Sequence, residues 1–517
     1  EGRYDDALAL IKKDNPLPAV CGHVCNRRCE DACTRGTVDE AVAIDEVKRF
    51  LAERDLNAET RYIPKKTIPS LKGGFDEKIA IIGAGPAGLS CAYYLALTGY
   101  KPTIFEKNEE PGGMLRYGIP SYKLEKDLLA AEIDVIRELG VEIRCGVEIG
   151  KDITIEELRE QGYKGFYVAI GCQRGRKPGI TGENAKGTYA AVDFLREAGA
   201  KESFALEGDV VVVGGGNVAI DAARISSRCV DAKISMFCLE QREHMPASKE
   251  EIAEALEEGI ELNCGWGPKE VVVNNGKAIA IVFKKCTSVY DENKRFSPVY
   301  DENETLMLPA DKVIFAIGQS IVWGDMLSDE KVELGRGGRP VADSLTYQTA
   351  QEDIFVGGDL YTGPKFAVDA IAAGHEAAES LHRFVQHGHM TIGRNRRQFI
   401  GLDTDDIKVE HYDNAARQVA ENHAVSSAFR DGHGVLTEEQ VKIETARCLE
   451  CGATVIDPNK CIGCGICTTK CKFDAISLHR DHPEASKMVV AEDKFKHILP
   501  YMVKRAAKIA FTRKKKD

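Results

Sequence analysis

Four cysteines recur at the spacing of one helical turn near the start of the chain, Cys21, Cys25, Cys29 and Cys33, and six crowd its far end, Cys448, Cys451, Cys461, Cys464, Cys467 and Cys471. Thiols so close together in a reducing compartment bind metal or iron–sulfur clusters more readily than they form disulfides. The run Cys461-x2-Cys464-x2-Cys467-x3-Cys471 has the spacing of bacterial ferredoxins, whose fourth cysteine ligates the other cluster of a pair. It departs from that pattern twice: Lys472 stands where proline is usual, and the upstream motif is only Cys448-x2-Cys451, with Thr454 at the next spacing. Six thiolates do not saturate two cubanes, so either one cluster takes four of them or two clusters recruit other ligands. A zinc ribbon through Cys448, Cys451, Cys461 and Cys464 leaves Cys467 and Cys471 unexplained. The first group reads as a [4Fe-4S] centre, with four-thiolate zinc as its rival, so two clusters are expected, or three if the far end builds a pair. The other seven cysteines, Cys91, Cys145, Cys172, Cys229, Cys238, Cys264 and Cys286, read as small buried hydrophobes.

The second chemistry is written in glycines. Gly83-Ala-Gly85-Pro86-Ala87-Gly88 follows the apolar strand KIAII and opens a helix. Gly83 permits the tight turn, Gly85 lets backbone approach a pyrophosphate, Gly88 allows close helix–strand packing, and the helix N-terminus offers N–H groups to phosphate. The next strand ends at Glu106, 18 residues after Gly88 and followed by Lys107, where a carboxylate can accept hydrogen bonds from a ribose. The pattern recurs after VVVV as Gly214-Gly-Gly216-Asn217-Val218-Ala219, expected to hold a nicotinamide dinucleotide. Far downstream Asp359 follows a short strand and two glycines, the second of them Gly358, and Ala367 and Val368 open a long helical pattern.

These motifs need positioning elements, and the chain is long enough to supply them. At about 150 residues per domain, 517 residues make three or four domains. Residues 1–60 are helical around the first cysteines. Residues 76–178 and 319–385 form one discontinuous nucleotide unit, interrupted by a second at 179–318. A polar, His-rich linker spans 386–440, and a ferredoxin-like domain with a basic tail spans 441–517. The fold class is therefore α/β, with two Rossmann-like dinucleotide-binding domains between a helical iron–sulfur domain and a ferredoxin-like one. A net charge of −12 offers no basic surface to nucleic acid. No stretch approaches the roughly 18 apolar residues of a membrane span, and EGRYDDALAL lacks a signal peptide's basic and apolar regions, so a cytoplasmic protein is expected. The start at Glu1 rather than Met suggests that upstream polypeptide has been removed or left out.

Together, Gly83–Gly88, the PGGMLRYGIPSYKL segment at 111–124, GGGNVA at 214–219 and GGDLYTGPKFAVDAIAAG at 357–374 resemble the glutamate synthase small-subunit family. That family includes the large subunit of NADH-dependent ferredoxin:NADP oxidoreductase and the N-terminal half of dihydropyrimidine dehydrogenase. The resemblance covers roughly residues 1–385. It implies FAD at the first loop, with Glu106 on the ribose, Asp359 at the ribityl or pyrophosphate end, and Gly118, Ile119 and Pro120 near the isoalloxazine. Gly113, Met114 and Gly318 are assigned to the cofactor sites with them. The family commonly carries an arginine pair for a 2′-phosphate before a Met-Pro-Ala turn. Here the turn is Met245-Pro246-Ala247, but Leu239-Glu240 replaces the arginines, and Glu240 favours a free 2′-hydroxyl. Arg242 is close enough to favour NADP(H) instead. The family also ligates its N-terminal clusters with cysteines further upstream and a carboxylate or amide about sixteen residues after the last cysteine; the aligned residue here is Lys48, which cannot bind iron. Cys21 supplies the missing ligand if the four cysteines make one cluster, and residues upstream supply it otherwise.

Nicotinamides deliver electrons in pairs and iron–sulfur clusters carry them singly, so a flavin between them links the two. No Cys-x2-Cys lies within the FAD or NAD units, so a thioredoxin-reductase-like mechanism lacks its redox pair, and direct hydride transfer requires no catalytic side chain. The expected function is an NAD(P)H-dependent FAD/iron–sulfur subunit of a larger redox complex, with ferredoxin as one partner, NADH preferred, and electron bifurcation as a specialised form. The alternatives are a glutamate synthase small subunit and a scaffold with vestigial dinucleotide folds.

Overall fold

The computed structural model describes residues 1–200, 206–394, 412–451, 461–470, 476, 478 and 491–513, with Ala200, Ala491 and residues 510–513 described by backbone alone. The chain divides into two compact units, Glu1–Cys451 and Gly452–Asp517.

In the first unit, five parallel strands lie in the spatial order Ile354–Val356, Tyr163–Val168, Lys78–Ile82, Thr103–Glu106, Glu142–Cys145. The strand contributed from residue 354 onward completes a sheet begun at residue 78, so the chain between them leaves and returns. Alternation along KIAII points Ile79 and Ile81 into one apolar cluster and Ala80 and Ile82 into another, as a sheet covered on both faces requires. A second parallel sheet runs Thr188–Ala190, Lys312–Phe315, Val210–Val213, Ile234–Cys238, Glu261–Cys264, and VVVV divides between two cores in the same way. Three antiparallel strands, Trp266–Asn274, Lys277–Tyr290 and Phe296–Pro309, extend this inserted body. Short strands Arg174–Gly175 and Gln319–Ser320 pair where the chain enters and leaves it.

Of the N-terminal helices Tyr4–Ile11, Pro18–His23 and Ile44–Leu56, the second shares a core with the first sheet through Leu17, Val20 and Cys21. Polar contacts reinforce this docking. Buried Glu132 accepts a hydrogen bond from the Ala19 N–H at 3.0 Å, and buried Lys12 lies 3.8 Å from Asp55 and 4.0 Å from Glu132.

Residues 412–451, which include much of the expected linker and the start of the expected ferredoxin-like domain, belong to this first unit. They are fastened to the N-terminal residues by charge: Arg417 pairs with Glu30 at 2.6 Å, Asp431 with Arg49 at 3.0 Å, and Arg447 with Asp39 at 3.1 Å. In the second unit a helix spans Ile466–Lys470 and another Lys494–Arg513. Among the described residues, no helix is long and apolar enough to cross a membrane.

Candidate functional site

A cleft of about 1140 Å³, its open mouth included, lies at the C-terminal edge of the first sheet, where ligands of open α/β sheets bind. The strand Lys78–Ile82 turns into it at Gly83, whose φ of +105° is left-handed and whose Cβ, if present, would stand 2.6 Å from the Ala169 carbonyl oxygen. The helix Pro86–Thr98 then starts on Gly85 with proline in its first turn, leaving N–H groups directed at the cleft. Gly85 faces Gly113 closely enough that a Cβ on Gly113 would meet the Gly85 Cα at 2.8 Å. The two backbones are thus in contact beside the helix N-terminus, where Gly85 carries no side chain to keep a pyrophosphate from the N–H groups. Glu106 is buried and braces this loop, one oxygen accepting from the Ala84 N–H at 2.8 Å and the other from the Asn108 N–H at 2.9 Å.

Pro86, Ala87, Lys107, Met114, Ile119, Gly358, Asp359 and Ala367 line the same cleft. Gly88 stands behind it, Gly118 and Pro120 are buried in the turn that carries Ile119, and Val368 is half-buried in the helix Ala367–Val385. The cleft also uses Gln173 and Trp323, which no motif marked, and Lys365, which the motif at 357–374 contains without a role assigned to it. Trp323 is locked by its indole N–H donating to the Gly338 carbonyl at 2.7 Å. Lys126 braces the turn, donating to the Leu115 and Ile119 carbonyls at 3.0 and 2.6 Å; burial pulls its ammonium down to about 7.

Asp359 accepts a hydrogen bond from the Lys365 N–H at 3.2 Å, but burial raises its carboxyl to about 6. A folded-state value above the unfolded one means that its contribution to stability is greatest below about pH 4 and is lost as pH rises through about 6. Flavin-free Asp359→Asn should therefore exceed the parent in stability by about 1–3 kcal/mol above pH 6.5, and the gap should close below about pH 4. Denaturant titrations across that range would show the convergence; a gap independent of pH would contradict it.

The second loop repeats the first. Gly214 has φ +146° against the Ala316 carbonyl, and the helix Asn217–Cys229 begins on Gly216, with Val218 half-buried and Ala219 fully buried. The Asn217 side chain accepts from the Ser248 N–H at 3.0 Å and so ties the loop to the segment after Met245-Pro246-Ala247. A Cβ on Gly215 would lie 3.0 Å from Glu240 Oε2, so the carboxylate already points at the middle of the loop. Arg242 is exposed in a single 3-10 turn, Arg242–His244. Gly318 accepts a backbone hydrogen bond from Arg176 at 2.9 Å in the connection between the two bodies. The turn after Pro120 reaches the second body through Lys123, 2.5 Å from Asp221 and 2.6 Å from Glu251.

All four N-terminal cysteines are free: Cys21 is buried, Cys25 and Cys33 are half-buried, and Cys29 is exposed. Burial raises the Cys21 thiol to about 12, and Lys48 donates to the Cys21 carbonyl at 3.0 Å while pairing with Asp45. Lys48 thus occupies the aligned ligand position as a structural cation. Cys448 and Cys451 are exposed at the end of the first unit; in the second, Cys461 and Cys464 are exposed and Cys467 is half-buried. Cys471 lies outside the described residues. Among the described residues no three Cys, His, Asp or Glu side chains converge into a closed metal shell. The donor chemistry suits iron–sulfur clusters, with thiols free at both ends of the chain.

Comparison with known proteins decides the family. The profile of the pyridine nucleotide-disulphide oxidoreductases matches residues 77–374, more than half of the chain. The chain belongs to this family. It is an oxidoreductase of the FAD type with 4Fe-4S regions attached, for residues 1–60 match dihydropyrimidine dehydrogenase domain II, 4Fe-4S cluster, and residues 454–477 match a 4Fe-4S binding domain. The NADP(+)-dependent formate dehydrogenase subunit beta of Moorella thermoacetica is 34% identical over 482 residues, covering 87% of this chain and 67% of the relative. The glutamate synthase [NADPH] small chain of Escherichia coli is 32% identical over 407 residues, 75% of this chain and 84% of the relative. Among solved structures, FprA of Mycobacterium tuberculosis in complex with NADPH aligns with a TM-score of 0.50 at 18% identity, over 60% of this chain and 85% of that one, a likeness of fold. These matches agree with the resemblance read from the motifs.

Proposed function

We propose that the chain exchanges hydride with NAD(H) at an FAD held in the first cleft, and passes single electrons through [4Fe-4S] clusters to a partner subunit. Bound FAD would supply the link between paired and single electrons. The chain's own residues divide the remaining work. Gly83, Gly85 and the N-terminus of Pro86–Thr98 would hold the pyrophosphate, Glu106 the adenosine ribose, and Asp359 with Lys365 the other end of the cleft. Gly214–Ala219 would hold the nicotinamide dinucleotide. Cys21, Cys25, Cys29 and Cys33 at one end of the chain, and Cys448 to Cys471 at the other, would hold the clusters. Cluster regions at both ends suit electron bifurcation, whose signature is ferredoxin reduction that requires a second acceptor.

The observation that carries the nucleotide preference is Glu240 set against Gly215, where a 2′-phosphate would meet a carboxylate. The relatives above are named for NADP(+) or NADPH, so a preference for NADH would set this chain apart from them. NADH should reduce the flavin at lower concentration than NADPH, and Glu240→Arg should shift the ratio of kcat/KM values toward NADPH by about 1–3 kcal/mol. Wild-type protein that prefers NADPH would hand the choice to Arg242. The second reading, a glutamate synthase small chain, rests on the 84% coverage of that relative and requires a synthase subunit to co-purify.

A further inference from the structure

Cys238 and Cys264 are 26 residues apart, and a helix and turn separate their strands. The fold nevertheless places them side by side. They are directly paired in the register of the adjacent parallel strands Ile234–Cys238 and Glu261–Cys264, and their sulfurs stand 3.8 Å apart. Neighbouring strands lie about 4.7–4.9 Å apart, within the Cα separation of about 4.4–6.8 Å that a disulfide spans. Cys238 is buried, whereas Cys264 is half-buried and can be reached from solvent.

The pair sits at the end of the sheet that recognises a dinucleotide. A Cβ on Gly215 would lie 3.0 Å from the Cys238 Cβ and 3.0 Å from Glu240 Oε2, so Cys238 and Glu240 meet the same point of the glycine loop. The Cys238 thiol donates to the Glu240 carbonyl at 3.5 Å, and that carbonyl also accepts from the Gly265 N–H, next to Cys264, at 3.1 Å. A covalent link between the sulfurs would therefore draw on the backbone that holds Glu240.

We infer that Cys238 and Cys264 are a redox-active thiol pair: a small aliphatic disulfide closes them into a disulfide beside the second glycine loop, and closure weakens binding of the nicotinamide dinucleotide. Cys264, as thiolate, attacks one sulfur of the oxidant and expels one thiolate, forming a mixed disulfide. Cys238 then loses its proton and attacks the Cys264 sulfur, expelling the second. The protein gives up two protons and two electrons, and one small disulfide becomes two thiols. A dithiol reverses the sequence. Burial raises both thiols, most strongly Cys238, which makes closure slow and selective for the approach through Cys264.

The effect on the nucleotide rests on the assignment proposed above, and the test keeps the two apart. Full-length holoprotein is incubated without oxygen with 2-hydroxyethyl disulfide, alkylated under denaturing conditions and digested with trypsin. The expected product links peptide 234–242, which contains Cys238, to peptide 250–269, which contains Cys264. Closure should raise the Kd for NADH by about tenfold, within the range typical of coupled sites, and dithiothreitol should restore it. In Cys264→Ser the oxidant should leave the Kd unchanged. A mixed disulfide on Cys264 beside an alkylated Cys238, or no reaction at either, overturns the pair. A complete crosslink with unchanged Kd overturns its effect on binding. Reduced protein that binds neither NADH nor NADPH refutes the nucleotide assignment alone, since the linked peptides report on the thiols regardless.

Discussion

Gly88→Val should yield a chain that carries no flavin after purification. Gly88 lies in the first turn of Pro86–Thr98, and a Cβ there would stand 2.0 Å from the Gly83 carbonyl oxygen and 3.2 Å from Ile81 Cγ2. The first obstacle is backbone, so the helix must lift off the strand rather than a side chain turn aside. Overpacking of this kind costs about 1–3 kcal/mol, and more where backbone moves. The far side of the helix offers no relief, because a Cβ on Gly374 would already stand 2.2 Å from the Ala87 carbonyl oxygen and Ser90 donates to the Ile371 carbonyl at 2.7 Å. Gly85→Val separates packing from binding: Gly85 has φ −76°, and an added Cβ would meet only the Gly113 Cα, at 3.9 Å. That variant should fold with nearly the parent's thermal stability yet release its flavin. Acid-extracted flavin per mole of protein, with a melting curve for each variant, checks both. A flavin-loaded Gly88→Val would show that the helix does not seat against Gly83.

The contrast between these glycines indicates what the sequence makes legible. The two nucleotide-binding bodies follow from local signals, since a strand, a glycine turn, a helix and the next strand occupy about thirty contiguous residues and each residue's part is set by its neighbours. Interactions made across the chain leave no such trace. Trp323 enters the cleft from a loop without periodicity, and Lys126 matters through two carbonyls seven and eleven residues before it. Cys238 and Cys264 looked like unrelated buried residues because parallel strands must be separated by a crossover. The 412–451 segment was read largely as linker because it lacks an apolar stripe. Its attachment uses arginines aimed at carboxylates and backbone carbonyls, and composition alone does not distinguish these from a solvated surface.

Arg447 makes that last point measurable, and Arg447→Met should destabilise the first unit by about 3–5 kcal/mol. Its side chain and that of Glu444 are both fully buried, with 2.6 Å between guanidinium and carboxylate. Glu444 also accepts from the Ala43 N–H at 2.8 Å and the Gln418 N–H at 2.6 Å, and Arg447 donates to the Ala415 and Glu40 carbonyls at 3.0 and 2.6 Å. Two fully buried ions and four backbone groups therefore close on one another, with the partly exposed Asp39 as a second carboxylate on Arg447. Removing the cation leaves a carboxylate buried against two N–H groups without a countercharge, which costs more than the intact pair ever contributed. Glu444→Gln added to Arg447→Met should accordingly recover part of the loss by removing the stranded charge. Cys448 follows Arg447 directly, so the same change should loosen the Cys448-x2-Cys451 pair and admit protease near residue 440 before global unfolding. Urea midpoints for the two variants, with limited proteolysis mapped by mass spectrometry, provide the comparison. A single variant within about 1 kcal/mol of the parent, or a double variant less stable than the single, would mean that water reaches this pair in solution.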